Sequence, residues 1–364
     1  MKKLIICERP FIMYKALLKA MNAKEDEIDI VLSNHMPDLK KMFQPLIESG
    51  IFHKVYYLDD YLYQEFIKNE SLLDYMMFPN ILWSWPKKLK RYFKYQKEAR
   101  EIELPQGLDL KEYDEVLAND GVSTINFKLN FEKIPYVVSE HARGNFKNKV
   151  PLHIVAVYLS MLLDRLNIIV AYSGMSKYVK TLEVDRNEDL VCYTKHKLIR
   201  ECRINDLEEA LSLEEKEKIY QVYAKAFDLP LWYEKEVNLL LTGPLAHDKA
   251  VESEEDQINC YKDAVSQNCN NGLPLLIKPH PRDTVDYSKI FPDAIIVDKI
   301  VSSEVLSLSN SLKIDKVVTI YSTSISSFRN AKQLIMLGGE FLDNYHHTSK
   351  YAGVKITSDE DIKK

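Results

Sequence analysis

The stretch Leu4-Ile5-Ile6-Cys7, a helical pattern over residues 11–20 and the stretch Asp29-Ile30-Val31-Leu32 decide the fold class of this chain. Each short, mostly apolar run has the length and composition of one buried strand, and the pattern between them is typical of a helix. Parallel strands need a helical crossover, whereas antiparallel strands can be joined by a tight turn. The beginning of the chain therefore predicts an α/β protein built on a parallel sheet.

The same alternation of short apolar runs and longer helical patterns continues along the chain. It predicts two Rossmann-like, doubly wound sheets, and a length of 364 residues suits two domains. We expect an N-terminal domain at 1–170, a linker at 171–205, where polar residues follow no clear period, and a C-terminal domain at 206–364. Further strands are expected at 53–58, 115–118, 136–138, 238–241, 275–278, 294–297, 316–320 and 333–337, and helices at 151–167 and 206–227.

Charge and composition exclude several classes of protein. The net charge of −5 argues against a nucleic-acid partner held by bulk charge. Five scattered cysteines indicate reduced thiols, and no stretch approaches the roughly 18 apolar residues of a membrane-spanning helix. We expect a cytoplasmic protein, at most peripheral at the inner face of a membrane. The aromatic and basic segment 83–95 fits such a contact, and it fits a solvated basic helix equally well.

The segment Lys278-Pro279-His280-Pro281 directly follows an apolar run of the C-terminal domain. Ligands of open α/β sheets bind beyond the carboxyl ends of the strands, so this segment is well placed for function. Its two prolines keep the backbone out of a helix and hold His280 in a fixed position. Lys278 and Arg282 make the surroundings positive, which suits a proton donor to a phosphate. A histidine that only caps a turn is the plainer alternative.

A row of hydroxyl residues, Ser322, Thr323 and Ser324, follows another expected strand of the same domain. Hydroxyls and backbone N–H groups at the start of a helix bind phosphate without any glycine. A simple N-cap needs only one hydroxyl, and here three stand in a row. The segment therefore predicts a phosphate site.

Acidic and imidazole side chains follow two expected strands of the N-terminal domain. Glu140 and His141 come after the strand at 136–138, and Asp120 comes after the strand at 115–118. A carboxylate or an imidazole at such a position can take a proton from an acceptor hydroxyl. Asn119-Asp120-Gly121 is also an ordinary turn sequence, so the role of Asp120 stays open.

The sequence lacks the glycine patterns of other nucleotide-binding proteins. GxGxxG and GxxxxGK[ST] are absent, which disfavours a dinucleotide oxidoreductase and a P-loop nucleotidase. Asp359-Glu360-Asp361 resembles an acidic metal-binding signature but lies in the last residues of the chain, and His346-His347 have no partners nearby in sequence. We expect no bound metal and no cofactor.

Taken together, these segments resemble glycosyltransferase family 52, the bacterial lipooligosaccharide and capsular polysaccharide sialyltransferases. The similarity runs over nearly the whole chain and is weak between the motifs. The residues that carry it are Leu4–Phe11, where Arg9 replaces a usual threonine, Leu241–Leu245 with Thr242 and Gly243, Lys278–Pro281, Ser303–Leu306 with Glu304, and Tyr321–Ser324.

The resemblance implies a fold and a reaction. The fold would be GT-B, two Rossmann-like domains facing across a cleft. The reaction would be inverting and metal-independent transfer of sialic acid from CMP-sialic acid to a galactoside-type acceptor during synthesis of a surface glycan. His280 would assist departure of CMP and Glu304 would hold the ribose. The remaining donor-side positions would be Lys278, Pro281, Thr242, Gly243, Ser322, Thr323 and Ser324.

The base and the partners are less closely defined by the resemblance. The acidic pair before glycine that carries the family's base aligns best with Glu140-His141-Ala142, while Asp120 has the right Asp-Gly form one strand earlier. Glu140, His141 and Asp120 all remain candidates. We expect a nucleotide-sugar donor and an oligosaccharide or lipid-linked glycan as acceptor, and a homodimer is left open. The alternatives are a transferase for another activated sugar or polyol phosphate, and a non-catalytic subunit of capsule assembly.

Overall fold

A computed structural model describes residues 1–35, 37–61, 93–119, 123–140, 154–171, 174–185, 197–229 and 236–345. The chain divides into two compact units, Met1–Ser212 and Leu213–Lys364. In the described part of each unit the strands pair in parallel and alternate with helices, as the sequence predicts.

The first unit contains a seven-stranded sheet in the order β3-β2-β1-β4-β5-β6-β7. Every neighbouring pair is parallel, so all carboxyl ends lie at one edge. The described elements are β1 (Lys2–Cys7), α1 (Pro10–Asn22), β2 (Glu27–Ser33), α2 (Phe43–Ser49), β3 (Lys54–Leu58), β4 (Glu115–Asn119), α3 (Thr124–Phe131), β5 (Tyr136–Ser139), α4 (Ile154–Arg165), β6 (Val179–Val184), β7 (Leu198–Glu201) and α5 (Ile204–Glu209), with short 3-10 helices at Pro37–Met42 and Leu110–Glu112.

Burial explains why the opening residues form a βα unit. β1 is buried from Leu4 to Cys7, as expected for a central strand covered on both faces. Pro10 stands in the first turn of α1, where its missing N–H costs no hydrogen bond, and Arg9 before it is extended. The buried run from Ile12 to Leu18 then packs α1 onto the sheet.

The segment expected to be a linker, 171–205, instead contributes β6 and β7 to the first sheet. The sequence hides both strands because neither has a continuous apolar run. β6 contains Lys180 and Glu183, and β7 is an edge strand without a fully buried residue. The helix expected over 206–227 is also divided, since α5 ends at Glu209 and the next helix begins at Leu213.

The second unit contains a five-stranded parallel sheet in the order β10-β9-β8-β11-β12. All five strands expected here are confirmed, with ends shifted by up to a few residues. The elements are α6 (Leu213–Phe227), β8 (Glu236–Leu241), α7 (Glu254–Asn268), β9 (Leu275–Lys278), α8 (Tyr287–Ile290), β10 (Ile295–Ile296), α9 (Ser303–Leu308), β11 (Lys313–Thr319), a 3-10 helix (Thr323–Ser327), β12 (Gln333–Met336) and α10 (Gly338–Leu342). Within the described residues of both units, no helix combines the length and apolarity needed to cross a membrane.

A buried charge cluster joins α1 to the far strands of the first sheet. Glu183 is 1% exposed, and its carboxylate lies 2.9 Å from Lys15 Nζ and 3.0 Å from an Arg200 guanidinium nitrogen. Lys19 Nζ also contacts it, and Ser139 Oγ donates to it at 3.0 Å. Burial alone would raise the pKa of Glu183, but Lys19, Lys15 and Arg200 outweigh burial and hold that pKa well below its usual range.

Replacing Glu183 with Gln should destabilise the first unit by about 3 kcal/mol, because it leaves buried cations without their counter-charge. The matched control is Asp38→Asn, which removes a half-exposed pair with Lys41 and should cost less than about 1 kcal/mol. Urea unfolding followed by circular dichroism measures both.

The pH dependence of the stability difference between wild type and Glu183→Gln tests whether that difference is electrostatic. The pKa of Glu183 is lower in the folded chain, so its contribution is present at neutral pH and is lost as the pH falls below about 4. The difference in the free energy of unfolding between wild type and Glu183→Gln should therefore become smaller in acid. A gap that stays constant across that range would contradict the assignment.

Candidate active site

The predicted donor-side residues gather at the carboxyl edge of the second sheet. β9 ends at Lys278, β8 leads into Thr242, and β11 leads into the turn with Ser322. Hydrogen bonds tie the three strand ends together: the Thr242 amide donates to the Lys278 carbonyl at 3.2 Å, and Thr319 Oγ1 at the end of β11 donates to the Leu241 carbonyl at 2.9 Å. The structure therefore brings these segments to one place, where open α/β sheets bind ligands.

His280 is half-buried in the turn after β9, and one of its ring nitrogens is fixed by the backbone. The Arg282 amide donates to Nδ1 of His280 at 3.1 Å. Since an amide can only donate, Nδ1 is unprotonated and the neutral ring carries its proton on Nε2. Burial lowers the pKa of His280, and the charges of Arg282 and Lys278 lower it further. At neutral pH the ring is thus a neutral donor through Nε2.

A buried carboxylate, Asp283, holds this turn in place. Its amide donates to the His280 carbonyl at 2.9 Å. Its side-chain oxygens accept hydrogen bonds from Thr242 Oγ1 at 2.7 Å, Gln257 Nε2 at 2.9 Å and the Tyr287 hydroxyl at 2.8 Å. These donors come from the end of β8, from α7 and from α8, so one side chain links the histidine turn to three other elements. In the sequence, the one sign of this role is that Asp283 lies close after the segment Lys278–Pro281.

Lys278 is buried beneath the turn, where its ammonium group binds two backbone carbonyls. Nζ donates to the Pro279 carbonyl and, at 3.1 Å, to the Lys299 carbonyl. Burial lowers the pKa of Lys278 to about 7, although Glu304, Asp298 and Asp283 act in the opposite direction. The side chain therefore joins the loop after β9 to the loop after β10. Lys278 thus holds the two loops of the site in position through its backbone contacts.

Glu304, expected to hold a ribose, stands in the first turn of α9 and is half-buried. Its carboxylate accepts hydrogen bonds from the hydroxyls of Ser302 and Ser303. It lies close enough to Lys278 to affect the pKa of that lysine, so it belongs to the same edge of the sheet. Whether it binds a ribose stays a prediction.

The hydroxyl row differs from the expectation in one respect. The row was expected at the positive end of a helix dipole, but the element after β11 is a five-residue 3-10 helix, Thr323–Ser327. Such a short element has little dipole, so any phosphate binding here depends on hydroxyls and amides. The Ser322 side chain makes no capping hydrogen bond, Thr323 is exposed and Ser324 is half-buried.

Thr242 and Gly243 form hydrogen bonds with buried side chains next to the site. The Thr242 hydroxyl is committed to Asp283, which makes it a positioning group. The Gly243 amide and carbonyl both bond to the Tyr261 hydroxyl, at 2.5 and 3.1 Å. A Cβ at Gly243 would lie 3.4 Å from the Tyr321 hydroxyl, which is an ordinary van der Waals contact. Pro281 completes the turn without a side-chain hydrogen bond to offer.

The candidate bases of the first unit are only partly described. Glu140 is buried at the end of β5, and its Oε2 accepts the Asp185 amide at 2.9 Å. His141 and Asp120 lie outside the described residues. The choice among the three stays open.

Lys278→Met should alter the pH dependence of stability. In the folded chain burial lowers the pKa of Lys278 to about 7, whereas the unfolded chain keeps a value near 10.4. Between about pH 7 and 10 the unfolded chain binds more protons, so this lysine makes wild-type stability rise with pH. The free energy of unfolding of wild type minus that of the variant should therefore increase from about pH 7 to 9.5 and level off in acid.

Urea denaturation at several pH values gives this difference directly. Lys289→Met is the control, because the Lys289 side chain is 82% exposed and its removal should add no such slope. Equal pH profiles for wild type and Lys278→Met would show that Lys278 keeps an ordinary pKa.

Comparison with known proteins gives one family and several distant likenesses. Residues 113–337 match glycosyltransferase family 52. An "Uncharacterized protein" of Haemophilus influenzae is 31% identical over 166 residues, which are 44% of this chain and 50% of that protein. The chain thus spans about half of the length of the curated relative it matches.

Solved structures resemble the chain at low identity. An α/β-galactoside α-2,3-sialyltransferase of Photobacterium phosphoreum is 15% identical with a TM-score of 0.43, over 92% of this chain and 90% of that one. A UDP-N-acetylglucosamine 2-epimerase of Rickettsia bellii is 11% identical with a TM-score of 0.41, over 90% and 75%.

The family match carries the identification. It covers more than half of the chain and includes the turn with His280 and the hydroxyl row from Ser322 to Ser324. The two parallel α/β sheets agree with the GT-B architecture that the sequence resemblance implies. The chain belongs to glycosyltransferase family 52.

Proposed function

We propose that this chain is an inverting, metal-independent sialyltransferase that moves sialic acid from CMP-sialic acid to a galactoside-type acceptor in capsule or lipooligosaccharide synthesis. One observation supports the donor assignment above all others. In a family 52 chain, His280 keeps its proton on Nε2 and lies at the same sheet edge as a hydroxyl-rich turn, with the end of β8 between them. This combination fits a phosphate leaving group.

The donor half of the reaction follows from these groups. The bond between the anomeric carbon and the phosphate oxygen breaks, and its electron pair stays on the phosphate of CMP. His280 Nε2–H donates to that oxygen as charge develops, and the hydroxyls of Ser322, Thr323 and Ser324 bind the other phosphate oxygens. A monophosphate met by these donors needs no divalent cation to neutralise it.

The acceptor half needs a base. The acceptor hydroxyl loses its proton to Glu140, His141 or Asp120 as its oxygen bonds to the anomeric carbon from the opposite side, which gives inversion. Glu140 is a buried carboxylate already held by the Asp185 amide. Exclusion of water would favour transfer over hydrolysis of the donor.

Two alternative functions differ in how they would use this site. A transferase for another activated sugar or a polyol phosphate would use the same phosphate-binding groups, and a non-catalytic capsule-assembly subunit would need none of them. Contact with a membrane through segment 83–95, whose first ten residues lie outside the described part, and a homodimer stay predictions.

His280→Ala should lower release of CMP from CMP-sialic acid by about 10²–10⁴-fold, because the leaving phosphate loses its donor. The assay uses the purified full chain with EDTA present. The control is His247→Ala, since the His247 side chain is 55% exposed and its described hydrogen bond goes to Asp248. Release that survives loss of His280, or that requires added metal, would contradict the mechanism.

Nucleotide binding separates the alternatives. CMP at about 100 times its dissociation constant should stabilise the wild-type chain by about 2.7 kcal/mol, seen as a rise in Tm. Stabilisation by UDP or CDP instead of CMP would point to a different donor. No response to any nucleotide would favour the non-catalytic subunit.

A further inference from the structure

The amino edge of the second sheet carries an exposed polar turn just before β9. The turn contains Asn271 followed by Gly272, and both residues are exposed. Gly272 has a φ of +75°, in the left-handed region that favours glycine. A Cβ built at Gly272 would meet nothing within 4 Å, so the backbone after Asn271 is open to solvent on that side. An asparagine with an unhindered neighbour therefore stands in an accessible turn.

Hydrogen bonds hold both ends of the Asn271 amide group. Its Oδ1 accepts from Asn238 Nδ2 at 2.6 Å and from the Leu273 amide at 3.3 Å. Its Nδ2 donates to Asp315 Oδ2 at 2.9 Å. A backbone amide can only donate and an ionised carboxylate can only accept, so these partners decide which end of the group carries the nitrogen. The contact with Leu273 folds the side chain over the Gly272 peptide.

Asp315 reaches this turn because β11 is irregular at that residue. Ile314 and Lys316 pair with neighbouring residues of β8, which leaves Asp315 as an extra residue in β11. Such a bulge changes the direction of a side chain. The Asp315 side chain is 19% exposed, and its Oδ1 lies 3.6 Å from Lys332 Nζ. The turn before β9, the start of β8 and the bulge in β11 thus meet in one polar cluster.

The cluster suits attack on the Asn271 side chain by the next backbone nitrogen. Attack on Cγ moves negative charge onto Oδ1, and the Asn238 side chain and the Leu273 amide already donate to that atom. Fixed donors at an oxygen that gains charge favour such a step. The attacking nitrogen belongs to Gly272, which has no Cβ to hinder its approach.

We propose that Asn271 is a site of spontaneous covalent modification, a deamidation that passes through a cyclic imide with Gly272. The lone pair of the Gly272 nitrogen forms a bond to Cγ, and the bond between Cγ and Nδ2 breaks. Nδ2 leaves as ammonia, with the proton that the Gly272 nitrogen loses. Water then opens the ring at either carbonyl and leaves an aspartyl or an isoaspartyl residue at position 271. Water is the only other reactant, and the inference does not depend on the proposed transferase function.

The product places a new negative charge beside Asp315. The nitrogen that donated to Asp315 Oδ2 is replaced by a carboxylate oxygen, so repulsion between like charges replaces a hydrogen bond. β8, β9 and β11 begin at this edge, and their opposite ends lead into Thr242, Lys278 and Ser322. Modification therefore weakens the sheet that positions the donor-side residues and leaves His280 itself unchanged.

Peptide mapping by mass spectrometry tests the reaction on the purified full chain, sampled over time in mildly alkaline buffer. Asn271 should gain the mass of an amide-to-acid exchange at least about tenfold faster than Asn270, because a glycine follows it and donors polarise its Oδ1. Asn270 is the internal control, since it is exposed in the same loop and is followed by Asn271. No conversion at Asn271, or equal conversion at the two positions, overturns the proposal.

Thermal unfolding tests the effect of the product. Asn271→Asp should lower Tm by about 2–4 °C, whereas Asn270→Asp should leave it unchanged. In an Asp315→Asn background the loss caused by Asn271→Asp should largely disappear, because the repelling charge is absent. A loss of the same size in that background, or no loss in either, overturns the assigned role of Asp315. Neither assay contains a sugar donor, so both results stand apart from the transferase assignment.

Discussion

The donor-side edge depends on the burial of one carboxylate. Asp283 is 4% exposed, and a carboxylate removed from water to that extent is stable only when donors surround it. Thr242, Gln257 and Tyr287 supply those donors from three different elements. The donors are neutral, so the group is held by hydrogen bonds without a buried ion pair. Moving the histidine turn would break several of these bonds at once, which explains how a loop residue, His280, acquires a fixed position.

The same type of sheet carries different chemistry in the two units. At the carboxyl edge of the second sheet the strands lead into Lys278, His280 and a row of hydroxyls, which suit an anionic ligand. At the carboxyl edge of the first sheet they lead into two carboxylates, Glu8 and Asp60, and the amide of Asn119. Because the parallel sheet fixes only where strand ends meet, the residue after each strand decides what is bound.

Sequence predicts the parts of this protein that are encoded locally. Continuous apolar runs gave the central strands of both sheets, and the compact segment Lys278–Pro281 gave the histidine turn. β6 was missed because its buried positions include Glu183, whose burial depends on lysines 164 and 168 residues away. β7 was missed because it is an edge strand without a fully buried residue. The contacts of His35 with Glu8 and Asp60, at the carboxyl edge of the first sheet, were missed for a similar reason. Glu8, His35 and Asp60 are single residues on three separate strand ends, and only the folded sheet brings them together.

The charge state of the donor-side edge is suited to both folding and reaction. Without a ligand, burial lowers the pKa of both Lys278 and His280, so little net positive charge has to be buried when the chain folds. A bound phosphate would bring negative charge close to both groups and favour their protonated forms. The imidazole would then hold a proton on each nitrogen only if the Arg282 amide moved away from Nδ1, which Asp283 resists. The site therefore favours a strong hydrogen bond from Nε2 to the departing phosphate over full transfer of a proton.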